Sequence, residues 1–293
     1  MERYLLGLAL TLCACNASIG DGPVDAGTDP IDAPTSDAPP DALVLGAWGS
    51  PALVPGASST ASEDDESLSS TTLEMVFAIV NTADANRKDL YYQSRPSPAG
   101  TWTTPQKLPF SLTGSSEETP RFSGDDLTLY FASDRTGTLG GLDIYKVTRP
   151  TVGGTWGTVT HVAGASSTAN DKWLAPCGPD RYLMVVGGDL AEGTFGGGAP
   201  TIVTALSSTA AEIGAFMTQD CLTTYFASAS SGTLQLYTST RTAVTAAWPA
   251  PTAVTDFAAL GGAQEDPWVS PDNRTFAFVS NISGTKDVYL STR

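Results

Sequence analysis

Basic residues are scarce in this 293-residue chain. Lysine and arginine total 15 against 31 aspartates and glutamates, for a net charge of −16. Only five of the basic residues are lysines, and they are scattered. An acidic chain without a basic stripe repels phosphate backbones, which excludes nucleic acid as a partner. Histidine occurs once, at His161. A histidine-rich metal centre is thereby excluded, and a Ser-His-Asp relay would rest on that residue alone. No segment approaches 18 consecutive apolar residues, so no permanent membrane-spanning helix is expected. The Gly-rich stretch "GTFGGGAP" (193–200) has no Gly-Lys-Ser/Thr and no helical pattern after it, so it reads as a loop and not a phosphate cradle.

The first residues carry an export signal. Arg3 supplies a positive charge, and Tyr4 to Leu12 form a short apolar run. Leu12-Cys13-Ala14-Cys15 follows and looks like a bacterial lipobox, with Cys15 as the residue to be lipidated. A small residue before the cysteine fits a narrow peptidase site, whereas bulky Leu12 precedes Cys13. An ordinary secretory signal cut near Ala17 is the alternative. Acyl chains contribute ~0.8 kcal/mol per buried CH₂, so a multiply acylated Cys15 would hold the chain on a membrane. Residues 16–47 contain Asp21, Asp25, Asp29, Asp32, Asp37 and Asp41 and no basic residue, among Pro, Ala, Gly and Thr. Too little apolar surface is present to offset the entropy of ordering, so the segment reads as a disordered tether. The expected organisation is a signal in 1–15, a tether in 16–47 and a folded domain in 48–293, anchored by lipid to the cell envelope.

A repeat runs through the folded part. Asp89-Leu-Tyr91-Tyr-Gln-Ser-Arg95, Asp143-Ile-Tyr145-Lys-Val-Thr-Arg149, Gln235-Leu-Tyr237-Thr-Ser-Thr-Arg241 and Asp287-Val-Tyr289-Leu-Ser-Thr-Arg293 share one spacing of Tyr and Arg. Alternation of apolar and polar positions makes each a strand. A second strand precedes each, in "LEMVFAIV" (73–80), "LTLYFASD" (127–134), "LTTYFASA" (222–229) and "RTFAFVSN" (274–281). A third precedes that, in "ESLSS" (66–70), "TPRFSG" (119–124), "GAFMTQ" (214–219) and "DPWVSP" (266–271). Trp102, Trp156 and Trp248 stand at a fixed offset after three of the arginines and open a looser outer strand. Four strands per unit at this period predict an all-β propeller. A degenerate unit fits between Trp156 and Trp248, with strands in "DKWLAP" (171–176), "RYLMVVGG" (181–188) and "PTIVTALS" (200–207) and little room for a fourth. The last unit ends at Arg293 one strand short. Trp48-Gly-Ser-Pro-Ala-Leu-Val54 has the outer-strand pattern and would close the ring from the other end of the chain, removing two open edges. The expectation is five four-stranded blades.

The chain resembles the TolB-like propeller repeat family. The resemblance is carried by "DPWVSPDNRTFAFVSNISGTKDVYLSTR" (266–293) and "ETPRFSGDDLTLYFASDRTGTLGGLDIYKVTR" (118–149). Two units match clearly, two more are recognisable, and 165–208 is nearly featureless in these terms. Only Ser270-Pro271-Asp272 keeps the family's turn tripeptide; Ser123-Gly124-Asp125 and Thr218-Gln219-Asp220 replace it elsewhere. Many members of the family have six blades, so six remains the alternative count. The resemblance implies a periplasmic or surface-facing monomeric scaffold that binds an envelope protein or peptide, and no chemistry.

Candidate site residues are acids at or just before the first strands: Asp64 and Asp65, Glu117 and Glu118, Asp171, Glu212, and Glu265 and Asp266. First strands line the channel of a propeller. A ring formed by Asp65, Glu118, Asp171, Glu212 and Glu265 could hold Ca²⁺ or a basic ligand group, or could be solvated turn acids. A glycan-binding or glycoside-hydrolysing propeller would use an acid and a base among them. The repeated tyrosines read as packing between blades and not as a sugar platform. Cys177 and Cys221 fall at equivalent turns of neighbouring units, where either a disulfide or two buried thiols is open.

Overall fold

A computed structural model describes residues 45–293. The lipobox with Cys15 and almost all of the expected tether lie outside the described residues. Among the described residues no helix is long and apolar enough to cross a membrane.

Strand β1 (Ala52–Leu53) comes first in the chain and last in the ring. The first blade is β2 (Glu63–Leu68), β3 (Glu74–Asn81), β4 (Arg87–Ser94) and β5 (Gln106–Lys107). The second is β6 (Glu117–Phe122), β7 (Thr128–Ser133), β8 (Asp143–Thr148) and β9 (Thr160–His161). The third is β10 (Asp171–Cys177), β11 (Arg181–Val186), β12 (Asp189–Thr194) and β13 (Thr201–Ile202). The fourth is β14 (Glu212–Met217), β15 (Thr223–Ser228), β16 (Gln235–Thr240) and β17 (Thr252–Ala253). The fifth is β18 (Gln264–Val269), β19 (Thr275–Ser280) and β20 (Asp287–Thr292), completed by β1. All five sheets are antiparallel, and their first strands touch in ring order from β2 round to β18 and back. Buried apolar clusters fill the spaces between successive sheets, which makes a ring of blades the unit of packing.

The ring closes as the Trp48 segment predicts. Ala52 pairs with Leu290 and Leu53 with Tyr289. Gly49 N donates to Thr292 O at 2.9 Å and Val54 N to Val288 O at 2.9 Å. Trp48 packs edge-on against Phe276 at 5.3 Å, and the Arg293 guanidinium lies 4.0 Å from the Trp48 ring centroid.

That last contact explains the repeated Arg and Trp. In four blades the arginine Nε donates to the carbonyl of a turn residue between the first two strands: Arg95 to Thr72, Arg149 to Asp126, Arg241 to Cys221 and Arg293 to Asn273. Each of those four turn residues has φ between 57° and 62°. The same guanidinium covers the outer-strand tryptophan at 4.0–4.5 Å. One side chain therefore ties the inner turn of a blade to its outer edge. The repeated tyrosines pair in register with phenylalanines of their own blade, Phe77 with Tyr91, Phe131 with Tyr145, Phe226 with Tyr237 and Phe278 with Tyr289. Cross-strand packing within a blade is thus as much their role as packing between blades.

Two expectations need correction. In the third blade, the third strand is β12 and not 200–207, which instead supplies a short fourth strand, β13. Gly187 and Gly188, at φ 61° and 103°, make a two-residue turn that shortens the unit. Phe195 takes the place of the arginine, stacking on Tyr130 at 5.3 Å and lying tilted against Tyr182 at 4.9 Å. The other first strands also begin two or three residues earlier than 66, 119, 214 and 266, because the acidic residues there are part of the strand and buried.

Candidate functional site

Every first strand carries the same irregularity. Its register with the second strand slips after the second residue, and the third residue is left-handed: Asp65 (φ 57°), Thr119 (56°), Trp173 (48°), Gly214 (66°) and Asp266 (53°). Bulges of this kind bend a strand and re-aim its side chains. Here they sort the acids into two groups.

Acids at the first position serve their own lead-in loops. Glu63 accepts from Ser59 N at 3.0 Å, Glu117 from Leu112 N at 2.9 Å, Asp171 from Ser167 N at 2.6 Å and Glu212 from Ser208 N at 3.1 Å. In the fifth blade Gln264 donates to Phe257 O instead, at 2.7 Å. Asp171 and Glu212 therefore hold loops and do not join a channel ring.

Acids at the second to fourth positions converge. Asp64, Asp65, Glu66, Glu118, Glu265 and Asp266 meet in the channel, each at most 8 % exposed. Three lysines meet them. Lys88 Nζ lies 2.7 Å from Asp64, 2.6 Å from Asp65 and 3.7 Å from Glu118. Lys172 lies 3.0 Å from Glu118, and Lys286 lies 3.1 Å from Asp64 and 2.7 Å from Glu265. Trp173 Nε1 donates to Asp65 at 3.1 Å. Of the five expected ring residues, the structure thus brings Asp65, Glu118 and Glu265 together.

The lysines were the missing half of the site. Lys88 and Lys286 stand just before the repeated Asp-x-Tyr, at equivalent places in the first and fifth units, and Lys172 occupies the column of Asp64 and Glu118. Read down the repeat and not along the chain, these positions mark a charged channel.

Protonation follows from burial and these pairs. Burial opposes the Asp64 and Glu118 charges, but Lys88 with Lys286 or Lys172 outweighs it and holds both carboxyls below their ordinary range. Burial raises Asp65 and Glu265, and pushes Glu66 and Asp266 well above that range. Burial thus disfavours the charged forms of Glu66 and Asp266, while the other four acids face the cations Lys88, Lys172, Lys286 and Arg121. Both Glu66 carboxyl oxygens and Asp266 Oδ1 lack hydrogen-bond partners, in keeping with burial disfavouring their charged forms.

Asp64, Glu265 and Asp266 offer oxygens within 4.8 Å of one another, the arrangement that suits a hard cation. The set does not fit a resident Ca²⁺, because the Lys286 ammonium already bridges two of its three members.

Arg121 closes this network from below. It is 1 % exposed and spans the channel, with Nε donating to Ala215 O at 3.2 Å and Nη1 to the carbonyls of Glu66 and Pro120. Beyond it, toward the turns between first and second strands, lies a cavity of 440 Å³ lined by Arg121, Phe122, Phe216, Tyr225, Trp268 and Asn273 among others. None of the six converging acids lines it. Ser67 and Ala175, small residues at the level of Arg121 in the neighbouring blades, leave this space open, while Phe216 and Trp268 wall its other side.

Cys177 and Cys221 form a disulfide with Cα atoms 5.3 Å apart, joining the third and fourth blades on this same face. His161 lies on outer strand β9, its Nε2 2.9 Å from Asp143 Oδ2 and its ring against Tyr145, remote from the acids.

No protein-family model and no curated protein sequence matches the chain. Solved structures do. An endo-arabinase from Bacteroides thetaiotaomicron is 10 % identical, with 82 % of this chain and 96 % of that one covered, at a TM-score of 0.57. The catalytic domain of an α-L-arabinofuranosidase from Coprinopsis cinerea is 12 % identical over 84 % and 96 %, at 0.51. TolB from Acinetobacter baumannii is 16 % identical over 80 % of this chain and 56 % of its own, at 0.49. The likeness is one of fold. The chain spans just over half the length of that TolB.

Proposed function

We propose that the chain is a binding propeller of the bacterial cell envelope, held by a lipid on Cys15, which presents one channel mouth to a protein or peptide and performs no chemistry. The observation that carries this reading is the division of the channel. Four of the six converging acids are paired with lysines and all six lie outside the cavity, while the open, partly aromatic cavity lies beyond Arg121. A general acid and base need a substrate between them, and here the space between is filled by ammonium groups. Aromatic walls with a few polar groups are the usual make-up of a binding pocket.

A glycan-active propeller is the second reading. It is favoured by the convergence of Asp65, Glu118 and Glu265, and by the arabinose-directed activities for which two neighbours of the same fold are named. Incubation with arabinan and aryl arabinofuranosides separates the two. The binding reading expects no turnover, together with retention of an envelope polypeptide that Trp268→Ala reduces and Glu118→Gln does not. Turnover lost in Glu118→Gln would reverse the assignment. For the anchor, Cys15→Ser is expected to move the protein from salt-washed membranes to the soluble fraction.

A further inference from the structure

The second and fourth blades carry the same five-part arrangement with one part changed. In the second, Glu117 at the start of β6, Ser133 at the end of β7 and the stacked pair Phe131–Tyr145 surround the guanidinium of Arg135. Arg135 donates to Glu117 Oε1 at 3.1 Å and to Phe110 O at 3.0 Å, and lies 5.1 and 5.0 Å from the two ring centroids. It thus has a carboxylate at its edge and aromatic faces beside it, the two contacts a guanidinium makes best.

In the fourth blade, Glu212 stands for Glu117, Ser228 for Ser133 and the stacked pair Phe226–Tyr237 for Phe131–Tyr145. The pairings are fixed by register: Glu117 faces Ser133 and Glu212 faces Ser228. The residue two places after the serine is Arg135 in one blade and Ser230 in the other. Its backbone is held alike in both, with N donating to the serine Oγ at 3.2 Å. Only the side chain differs. Where Arg135 lies in the second blade, the fourth has a cavity of 180 Å³ lined by Glu212, Ser228, Phe226, Tyr237, Ser230 and Leu206 among others. Leu206 there takes the place of Phe110 in the lead-in loop. Glu212 is fully buried, and its Oε2 has no partner, whereas both oxygens of Glu117 are used. Ser230 is exposed, so the cavity opens to solvent where an arginine stem would enter.

We propose that this cavity is a binding site for an alkylguanidinium, supplied in trans, which takes the place that Arg135 fills in cis. Its carboxylate is Glu212 and its aromatic wall is Phe226 and Tyr237. The excess of 31 acids over 15 bases favours the approach of such a cation. The site follows from the comparison of two blades and stands whether or not the binding-propeller reading holds; under that reading the guanidinium is an arginine side chain of the partner.

The test is a titration of the mature chain with N-propylguanidine, followed by the NMR signals of Ser230 and Tyr237. Saturable shifts are expected, with neutral N-propylurea at least about tenfold weaker. Ser230→Arg should abolish the response and raise the melting temperature, because the cavity is then filled from within. Arg135→Ser should create a second site, so that N-propylguanidine restores lost stability and binds at two places. A peptide carrying one internal arginine, compared with its citrulline analogue, identifies the source. Preference for the arginine peptide assigns the site to a polypeptide, and response to propylguanidine alone assigns it to a small cation. Absent shifts in the unaltered chain, or undiminished shifts in Ser230→Arg, would overturn the proposal.

Discussion

Arg149 and Arg293 occupy equivalent positions and should not be equally important. Both donate Nε to a turn carbonyl and both cover a tryptophan. Arg149 also makes a two-pronged pair with Glu74 of the first blade, at 2.8 and 2.6 Å, with 1 % and 6 % of the two side chains exposed. Removing one partner of a buried pair strands the other charge and costs about 3–5 kcal/mol. Arg293 has no carboxylate partner among the described ion pairs, so its loss forfeits a hydrogen bond and a cation–π contact, about 1–2 kcal/mol. For a domain of this size each kcal/mol shifts the melting temperature by roughly 2–4 °C. Arg149→Ala is therefore expected to melt clearly below Arg293→Ala in parallel thermal scans. The reverse order would show that the tie to the outer strand, and not the pair between blades, is what these arginines supply.

At the scale of the strand, the channel charges make stability depend on pH. Glu66 and Asp266 have folded pKa values raised well above their ordinary 4.5 and 3.8, burial being the main cause. Their contribution is full below those ordinary values and is lost as pH rises through the folded ones. Asp65 and Glu265 are raised too and act in the same sense. Asp64 and Glu118 are lowered, so theirs is present above the ordinary values and lost as pH falls through the folded ones. Stability should therefore decline on both sides of the mildly acid range. The Glu66→Gln, Asp266→Asn double variant, whose amides imitate the protonated acids, should flatten the upper limb and leave the acid limb in place. An unchanged upper limb in that variant would show that both groups are ionised in the native protein.

The same strands show what the sequence made legible. Apolar alternation, the Arg–Trp offset and the Tyr spacing placed four blades and the closure, because each is a local pattern repeated at a fixed distance. The third blade departs from the expected third strand because Gly187-Gly188 and Phe195 replace the longer loop and the arginine that mark the others. The channel was half legible. Acids at strand starts were visible, but the bulge that turns Asp65 and Asp266 inward is a backbone property carried by four different residue types over the five blades, with Gly214 the only one that advertises positive φ. The lysines brought in from β4, β10 and the approach to β20 stand out only when the repeats are aligned with one another, not along the chain.

At the scale of the molecule, the ring depends on a segment from its far end. Trp48 rests on Phe276 beneath Arg293, Val54 is 1 % and Ala57 0 % exposed, and the backbone from Gly49 to Ala57 bonds along β20. All of these contacts are made by residues from Trp48 onward. A chain produced without its first 47 residues is accordingly expected to melt close to the longer form. Removing the first 54 deletes Trp48, β1 and Val54, and exposes the edge of β20 together with Phe276. Loss of the half-buried Trp48 together with the buried Val54 costs about 3–5 kcal/mol, and an opened sheet edge adds to it. A fall on the order of 10 °C or more follows for a domain of this size, accompanied by concentration-dependent association through the free edge. Equal melting temperatures for the two truncations would mean that the fifth blade stands without its fourth strand, and that the ring is held by its inner strands alone.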